Sequence, residues 1–281
     1  MRTLAFVNQK GGCGKTTTAV NLAGALARRG ERVLLVDLDP QAHATMALSC
    51  AVEEGEPSLA DVLLRDVPLR VVLREAPGGI ALAPATLALC EFEEEAARLV
   101  RPERILGQVL DDLGDDEVDE DFDWALVDCS PRADGVLTAN ALRAADVVVL
   151  VVELGAFALQ GALKALAILR EMAAEMEAVF ELRVLATLYD PRMRLARELL
   201  VATQARFAGV LFDTVIRQSV RLREAAAVGL PVQLLEPDGP AARNFDCLAE
   251  EVLAQRPGRG TRSRTLGHAG SAAFSSLQPT R

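Results

Sequence analysis

The chain has 281 residues, 51% of them apolar, with a formal net charge of −10 at pH 7. That length and apolar share suit one large core or two small ones and exclude a disordered chain. The longest dense apolar run, Val147 to Val152, is closed by Asp146 and Glu153, well short of the roughly 20 residues that span a bilayer, and the first residues lack the apolar core of a secretory signal. One compact cytoplasmic domain over residues 1–255 is the expectation.

In chain order, Thr3 to Val7 predicts a short buried strand. From Thr16 onward Ala19, Val20, Ala23, Leu26 and Ala27 recur at helical spacing until Gly30 supplies a stop. The run RVLLVDLDP outlines a second strand whose carboxyl end carries acids and Pro40. Further strands are predicted at Trp124 to Asp128, Asp146 to Val152, Leu182 to Leu188 and Leu211 to Val215. Between them Leu159, Leu163, Leu166, Leu169, Met172, Met176 and Val179 form a helical stripe, read as core packing. Strands alternating with helices imply an α/β, doubly wound, mainly parallel sheet covered on both faces. Ligands of such sheets sit beyond the carboxyl ends of the strands.

Two segments break the pattern. Asp111 to Asp123 holds nine acids in thirteen residues, and self-repulsion at that density predicts a solvated loop. From Arg256 to Arg281 the chain turns to Gly, Ser, Pro and Arg, with five arginines and no acid. That composition predicts a disordered basic tail.

Only three of the 30 basic residues are lysines, and two of them, Lys10 and Lys15, stand five apart in the run NQKGGCGKTTTAVNLA. Gly11, Gly12 and Gly14 let backbone N–H groups turn inward on phosphate oxygens, while the helix that follows directs its positive end at the same point. Lys15 places a compact charge on the β and γ phosphates, Thr16 offers a hydroxyl to Mg²⁺, and Thr17 assists at the α phosphate. The nucleotide is expected along Lys10, Gly11, Gly12, Cys13, Gly14, Lys15, Thr16 and Thr17. A planar guanidinium would not replace the ammonium there, which accounts for lysine in an arginine-rich chain.

The run FVNQKGGCGKTTTAVNLA resembles the Soj branch of the ParA/MinD family of deviant Walker ATPases, whose loop reads KGGxGKT. The resemblance covers about Met1 to Gln255. It implies ATP and Mg²⁺ as ligands, and a homodimer in which Lys10 reaches the partner's ATP. LLVDLDPQAHAT is similar to the second family motif, implying that Asp39 positions the attacking water and Asp37 supports the Mg²⁺ shell. WALVDCSPRADG resembles the Walker B region, with Asp128 holding Mg²⁺ through water; the family's DCPPS reads Asp128, Cys129, Ser130, Pro131, Arg132 here. Near the base the family's I-P-R-N becomes Ile216, Arg217, Gln218, Ser219, which puts Arg217 and Ser219 at the expected base contacts. The resemblance thus implies that catalysis falls to Lys10, Lys15 and Asp39 and that the metal set is Thr16, Asp37, Asp39 and Asp128.

Relatives grip DNA, membrane or an iron-sulfur cluster. The span Arg183 to Glu224 holds eight arginines against four acids, reversing the overall charge locally. Asp190 before Pro191 predicts a helix start that sets Arg194 and Arg197 on one flank. Arg192, Arg194, Arg197, Arg221 and Arg223 are the expected contacts to nonspecific DNA, made through phosphates. The tail, broken by glycine and serine, is no amphipathic membrane helix. The five cysteines show no CxxC spacing, and neither Cys90 nor Cys129 lies in a glycine-rich setting suited to a cluster. The resemblance therefore implies a nucleoid-associated partition ATPase stimulated by a ParB-like centromere-binding protein, or, alternatively, an ATPase that positions a protein cargo.

Overall fold

The computed structural model describes residues 1–113, 122–132 and 134–256. Its strands are β1 (Arg2–Val7), β2 (Val33–Leu38), β3 (Arg74–Ala76), β4 (Ile80–Ala83), β5 (Trp124–Cys129), β6 (Val147–Glu153) and β7 (Glu181–Thr187). They form one sheet in the order β3-β4-β2-β5-β1-β6-β7, parallel throughout except where β3 pairs with β4.

The helices fill the crossovers. The first half contributes α1 (Lys15–Ala27), α2 (His43–Ala47), α3 (Leu59–Arg65), α4 (Leu69–Val72), α5 (Leu89–Glu95) and α6 (Ile105–Asp112). The second contributes α7 (Val136–Ala144), α8 (Ala158–Met176), α9 (Arg194–Arg206), α10 (Val220–Ala227), α11 (Val232–Leu235) and α12 (Pro240–Ala254). Successive side chains of a strand point to opposite faces, so β2 serves two cores at once. Val33 and Leu35 pack with Leu22, Leu26 and Phe245 from α1 and α12. Leu34, Val36 and Leu38 pack with Leu59, Phe92, Leu106, Leu142 and Leu166 on the other side. Burial on both faces is why these strands read as unbroken apolar runs rather than alternating ones.

Strand β1 has β5 on one side and β6 on the other. The chain leaves β1 toward β2 on the β5 side and later crosses from β5 to β6 on the opposite side, so the order reverses at β1. The loop after β1 therefore opens at the crevice where ligands of such sheets bind.

Several expectations are corrected. Leu211 to Val215 is not a strand. Phe212 N–H donates to the Val184 carbonyl at 2.9 Å, but the next two amides, of Asp213 and Thr214, donate to the Glu251 carboxylate at 2.8 and 2.7 Å, which interrupts the ladder until Ile216 N–H donates to the Ala186 carbonyl at 2.9 Å. Helix α9 begins at Arg194 rather than at Pro191. Asp190 instead accepts from the Arg192 amide at 3.0 Å and from its guanidinium. In the α8 stripe the sheet-facing residues are Ala162, Ala165, Leu166, Leu169 and Ala173, with Leu159, Leu163, Met172 and Met176 only partly buried and Val179 exposed. The ends of the acidic stretch are structured, Asp111 and Asp112 in α6 and Asp123 bonded to Arg32 and Arg256; its centre, 114–121, lies outside the described residues. So does the tail beyond Arg256, whose guanidinium is itself fixed on Glu31 and Asp123 at 3.0 Å each.

Candidate active site

The carboxyl ends of β1, β2, β5, β6 and β7 deliver Asn8, Asp39, Asp128, Glu153 and Thr187 to one edge of the sheet. Asn8 ties the start of the loop to β6, its amide donating to the Val151 carbonyl at 2.6 Å while its Oδ1 accepts from the Lys10 N–H at 3.1 Å. Gly12 and Gly14 take φ of 74° and 96°, a region that costs any side chain with a Cβ. Gly14 caps α1, and Thr187 fixes the loop from the far side by donating to the Cys13 carbonyl at 2.7 Å. Cys13 itself is buried beneath the loop.

The loop forms one wall of a cleft of about 710 Å³, lined by Gly11, Gly12, Gly14, Lys15, Thr16 and Thr17, a size that accepts a nucleotide-sized ligand. Asp39, Gln41, His43 and Met46 form a second wall, and Pro131 closes one end. Leu188, Gln218, Ser219, Leu222 and Arg223 line the remaining side. Ser219 lines the cleft and also caps α10. Arg217 does not line the cleft; its amide donates to Asn244 at 3.2 Å and its neighbours Gln218 and Ser219 face inward instead.

The two lysines differ. Lys15 is only 6% exposed, with its ammonium near the Lys10 carbonyl at 3.4 Å. The Lys10 side chain is 54% exposed at the rim, and its ammonium pairs with the Glu153 carboxylate at the end of β6. Glu153 carries no motif and read as a strand terminator; its position at a ligand-side strand end was the available signal.

Beneath the cleft Asp37 and Asp128 face each other as register partners on β2 and β5, both fully buried. Asp37 is satisfied: Oδ2 accepts from the Thr45 amide and hydroxyl at 2.8 and 2.7 Å, and Oδ1 accepts from the Asp39 amide at 3.3 Å. Burial nonetheless pushes its carboxyl up to about 6. Neither oxygen of Asp128 has a hydrogen-bond partner. Burial and the Asp37 charge push Asp128 well above the usual carboxylate range, against the pull of Thr16 and Lys15 nearby. A buried carboxylate without donors is costly by itself. It is the group a hard cation would satisfy. Among the described residues no three His, Cys, Asp or Glu side chains converge on one point, so such an ion needs ligand oxygens as well, the way Mg²⁺ is held by one or two carboxylates plus phosphates. Thr16, Asp39 and Asp128 could supply such ligands, whereas the oxygens of Asp37 are committed to Thr45 and to the Asp39 amide.

The arginines expected on DNA lie apart from this floor. Arg192 and Arg194 are largely exposed and ion-paired with Asp190 and Glu198 at 2.7 Å. Arg197 donates to the Pro191 carbonyl at 2.6 Å, and Arg221 pairs with Glu224 at 2.7 Å. Arg223 lies on the cleft wall instead of the outer face.

Residues 1–182 match the family model described as an AAA domain. The chain is 40% identical over 256 residues to the chromosome-partitioning ATPase Soj of Thermus thermophilus, covering 91% of this chain and 96% of that protein. It belongs to the ParA/Soj family of partition ATPases. The sporulation initiation inhibitor Soj of Bacillus subtilis is 35% identical over 253 residues, covering 89% of this chain and 98% of its own. Among solved structures, cobyrinic acid a,c-diamide synthase from Mycobacterium smegmatis with a bound ATP analog and magnesium superposes with a TM-score of 0.76 at 30% identity, over 90% of this chain and 94% of that one. The glycine loop and the Asp37–Asp128 pair lie at the carboxyl ends of the parallel strands, and among the described residues no helix is long and apolar enough to cross a membrane.

Proposed function

We propose that this ParA/Soj ATPase works as a nucleotide-timed clamp: it dimerises around ATP and Mg²⁺, holds DNA nonspecifically, and lets go after hydrolysis stimulated by a ParB-like partner. It is an ATPase whose cofactors are ATP and Mg²⁺. Lys15, buried at the head of α1, would meet the β and γ phosphates, and the loop amides from Gly11 to Thr17 would surround them. Thr16 and Asp128 would hold Mg²⁺, which neutralises phosphate charge as it develops in the transition state. Asp39, at the cleft wall, would orient the attacking water.

The observation that carries the dimer is the position of Lys10. Its neighbour in the loop, Lys15, is buried, whereas Lys10 stands at the rim with more than half its side chain exposed and its ammonium on Glu153, which supports a reading in which it exchanges that partner for a second molecule's triphosphate. Arg192, Arg194, Arg197 and Arg221 would meet DNA phosphates by exchanging their carboxylate and carbonyl partners for the polyanion, an interaction without base readout. Dimerisation doubles that set, so affinity should fall steeply with salt. Binding to the nucleoid follows from the same arginines.

The test is binding of random-sequence duplex DNA by the full chain with ATP, with ADP and without nucleotide, over a salt series. Tight, salt-sensitive binding confined to ATP supports the clamp; binding that ignores nucleotide, or none at all, rejects it.

A further inference from the structure

Arg223 is a cation at the nucleotide cleft that no carboxylate holds. It stands exposed on α10, on the cleft wall, and the acid next to it in the chain, Glu224, is taken by Arg221 at 2.7 Å. Its neighbours three and four residues away are Ser219, Val220, Ala226 and Ala227, so the helix itself offers it no acid. Among the described residues no carboxylate lies within ion-pair distance of its guanidinium, and Glu236, the other acid near this helix, lies by Arg221.

The phosphate end of the cleft is already furnished by Lys15 and the loop amides, with Asp39 and His43 on the wall across from α10. With the α phosphate at Thr17, the ribose and base fall to the side lined by Leu188, Leu222, Arg223 and Ala226. That side is apolar apart from the guanidinium, and no residue lining the cleft is Phe, Tyr or Trp. A base held there has no aromatic side chain to stack on. A guanidinium can take that part, because it is planar, more weakly hydrated than an ammonium, and stacks on aromatic faces. Ala226 and Ala227, one turn along α10, are short enough to leave room beside it.

We propose that Arg223 stacks its guanidinium on the base of the bound nucleotide and thereby favours a purine, whose two fused rings offer more face than the single ring of a pyrimidine. The proposal rests on ATP as the ligand of this cleft and goes beyond it by naming the side chain that grips the base end. The base contact expected of Arg217, which does not line the cleft, passes to an arginine of the helix that follows. Stacking also explains why a second cation can stand in this cleft without crowding Lys15: its work is on a neutral ring, and the phosphates are left to the loop.

The experiment is calorimetric titration of the full chain with ATP, with CTP and with inorganic tripolyphosphate, each with Mg²⁺. Tripolyphosphate reports the phosphate nest alone, and CTP keeps the ribose with a smaller ring. Arg223→Ala should weaken ATP by about tenfold, CTP by less than about threefold and tripolyphosphate by less than about twofold. Arg223→Lys keeps the charge without the plane and should leave ATP at least about threefold weaker than in the wild type. The side chain is exposed, so both variants should unfold at the wild-type temperature without nucleotide. Equal weakening of all three ligands would make Arg223 a phosphate contact, and full ATP affinity in Arg223→Ala would leave it no role at the cleft; either result overturns the proposal. A wild type that binds tripolyphosphate but neither nucleotide would be a different failure, refuting ATP as the ligand and the stacking with it.

Discussion

Asp37 and Asp128 are paired across adjacent strands, both buried; Asp37 accepts from Thr45 and Asp39, whereas Thr16 is near Asp128 without a hydrogen bond of good geometry. A fully buried carboxylate without a hydrogen-bond partner, as Asp128 is, costs the fold stability, a cost that a bound cation would relieve. Asp128→Asn removes the charge and keeps the shape. It is expected to raise the stability of the nucleotide-free protein by about 1–3 kcal/mol while abolishing the further stabilisation that Mg²⁺ with ATP gives the wild type. Thermal unfolding with and without Mg-ATP checks both halves; a destabilised variant that still responds to Mg²⁺ would contradict the assignment.

Asp37 supplies a pH signature. Its carboxyl is held up to about 6 in the folded chain, from an ordinary value of 3.8, chiefly by burial. Between those values the folded state binds the proton and the unfolded state does not, so stability falls as pH rises through this window. This contribution is complete below about pH 4 and is lost above about pH 6. Asp37→Asn should therefore gain on the wild type as the pH is raised from 4 to 7, in unfolding titrations without nucleotide. A gap between the two that stays constant over that range would remove Asp37 as the titrating group.

Glu153 holds Lys10 within its own subunit, so reaching another subunit's nucleotide means leaving this partner. A half-exposed ion pair contributes at most about 1 kcal/mol. Glu153→Gln is accordingly expected to lower the ATP concentration for half-maximal dimerisation by about threefold, measured by light scattering. An unchanged or higher midpoint would mean that the pair does not compete with assembly.

How far the site could be read from the sequence depended on whether residues act locally or across the fold. The glycine loop, Lys15 and Thr16 were legible because strand, turn and helix start are consecutive there, and backbone conformation alone creates the phosphate nest. Asp37, Asp39 and Asp128 were legible as acids closing apolar runs. Glu153 and Thr187 were not marked by any motif: each matters through a loop more than a hundred residues away, to Lys10 and to the Cys13 carbonyl. Near the base, the family motif points to Arg217, but the chain bonds through its amide to Asn244 and turns Gln218 and Ser219 inward. The α9 boundary failed for a local reason, because Asp190 spends its oxygens on Arg192 instead of capping a helix. The edge hairpin β3–β4 carries too little pattern to be legible, its strands being only three and four residues long.

The arginines divide by location. Arg192→Ala with Arg194→Ala should leave ATP affinity intact and make the log–log salt dependence of DNA binding shallower, by about one for each phosphate that a subunit no longer neutralises. Arg223→Ala, on the cleft wall, should instead weaken nucleotide binding by about tenfold. Anisotropy on DNA and on a fluorescent ATP analogue separates them, and equal effects of the two variants on both ligands would dissolve the distinction.

ATP is expected to join two subunits through Lys10, which stands exposed at the rim of the cleft. Sedimentation velocity of the wild type and of Lys10→Ala, each with saturating Mg-ATP, tests it most directly, with nucleotide occupancy measured in the same samples. The wild type should sediment as a dimer and the variant as a nucleotide-loaded monomer, because Lys15 still holds the phosphates. A variant that dimerises as well as the wild type, or a wild type that stays monomeric with ATP bound, would contradict the account.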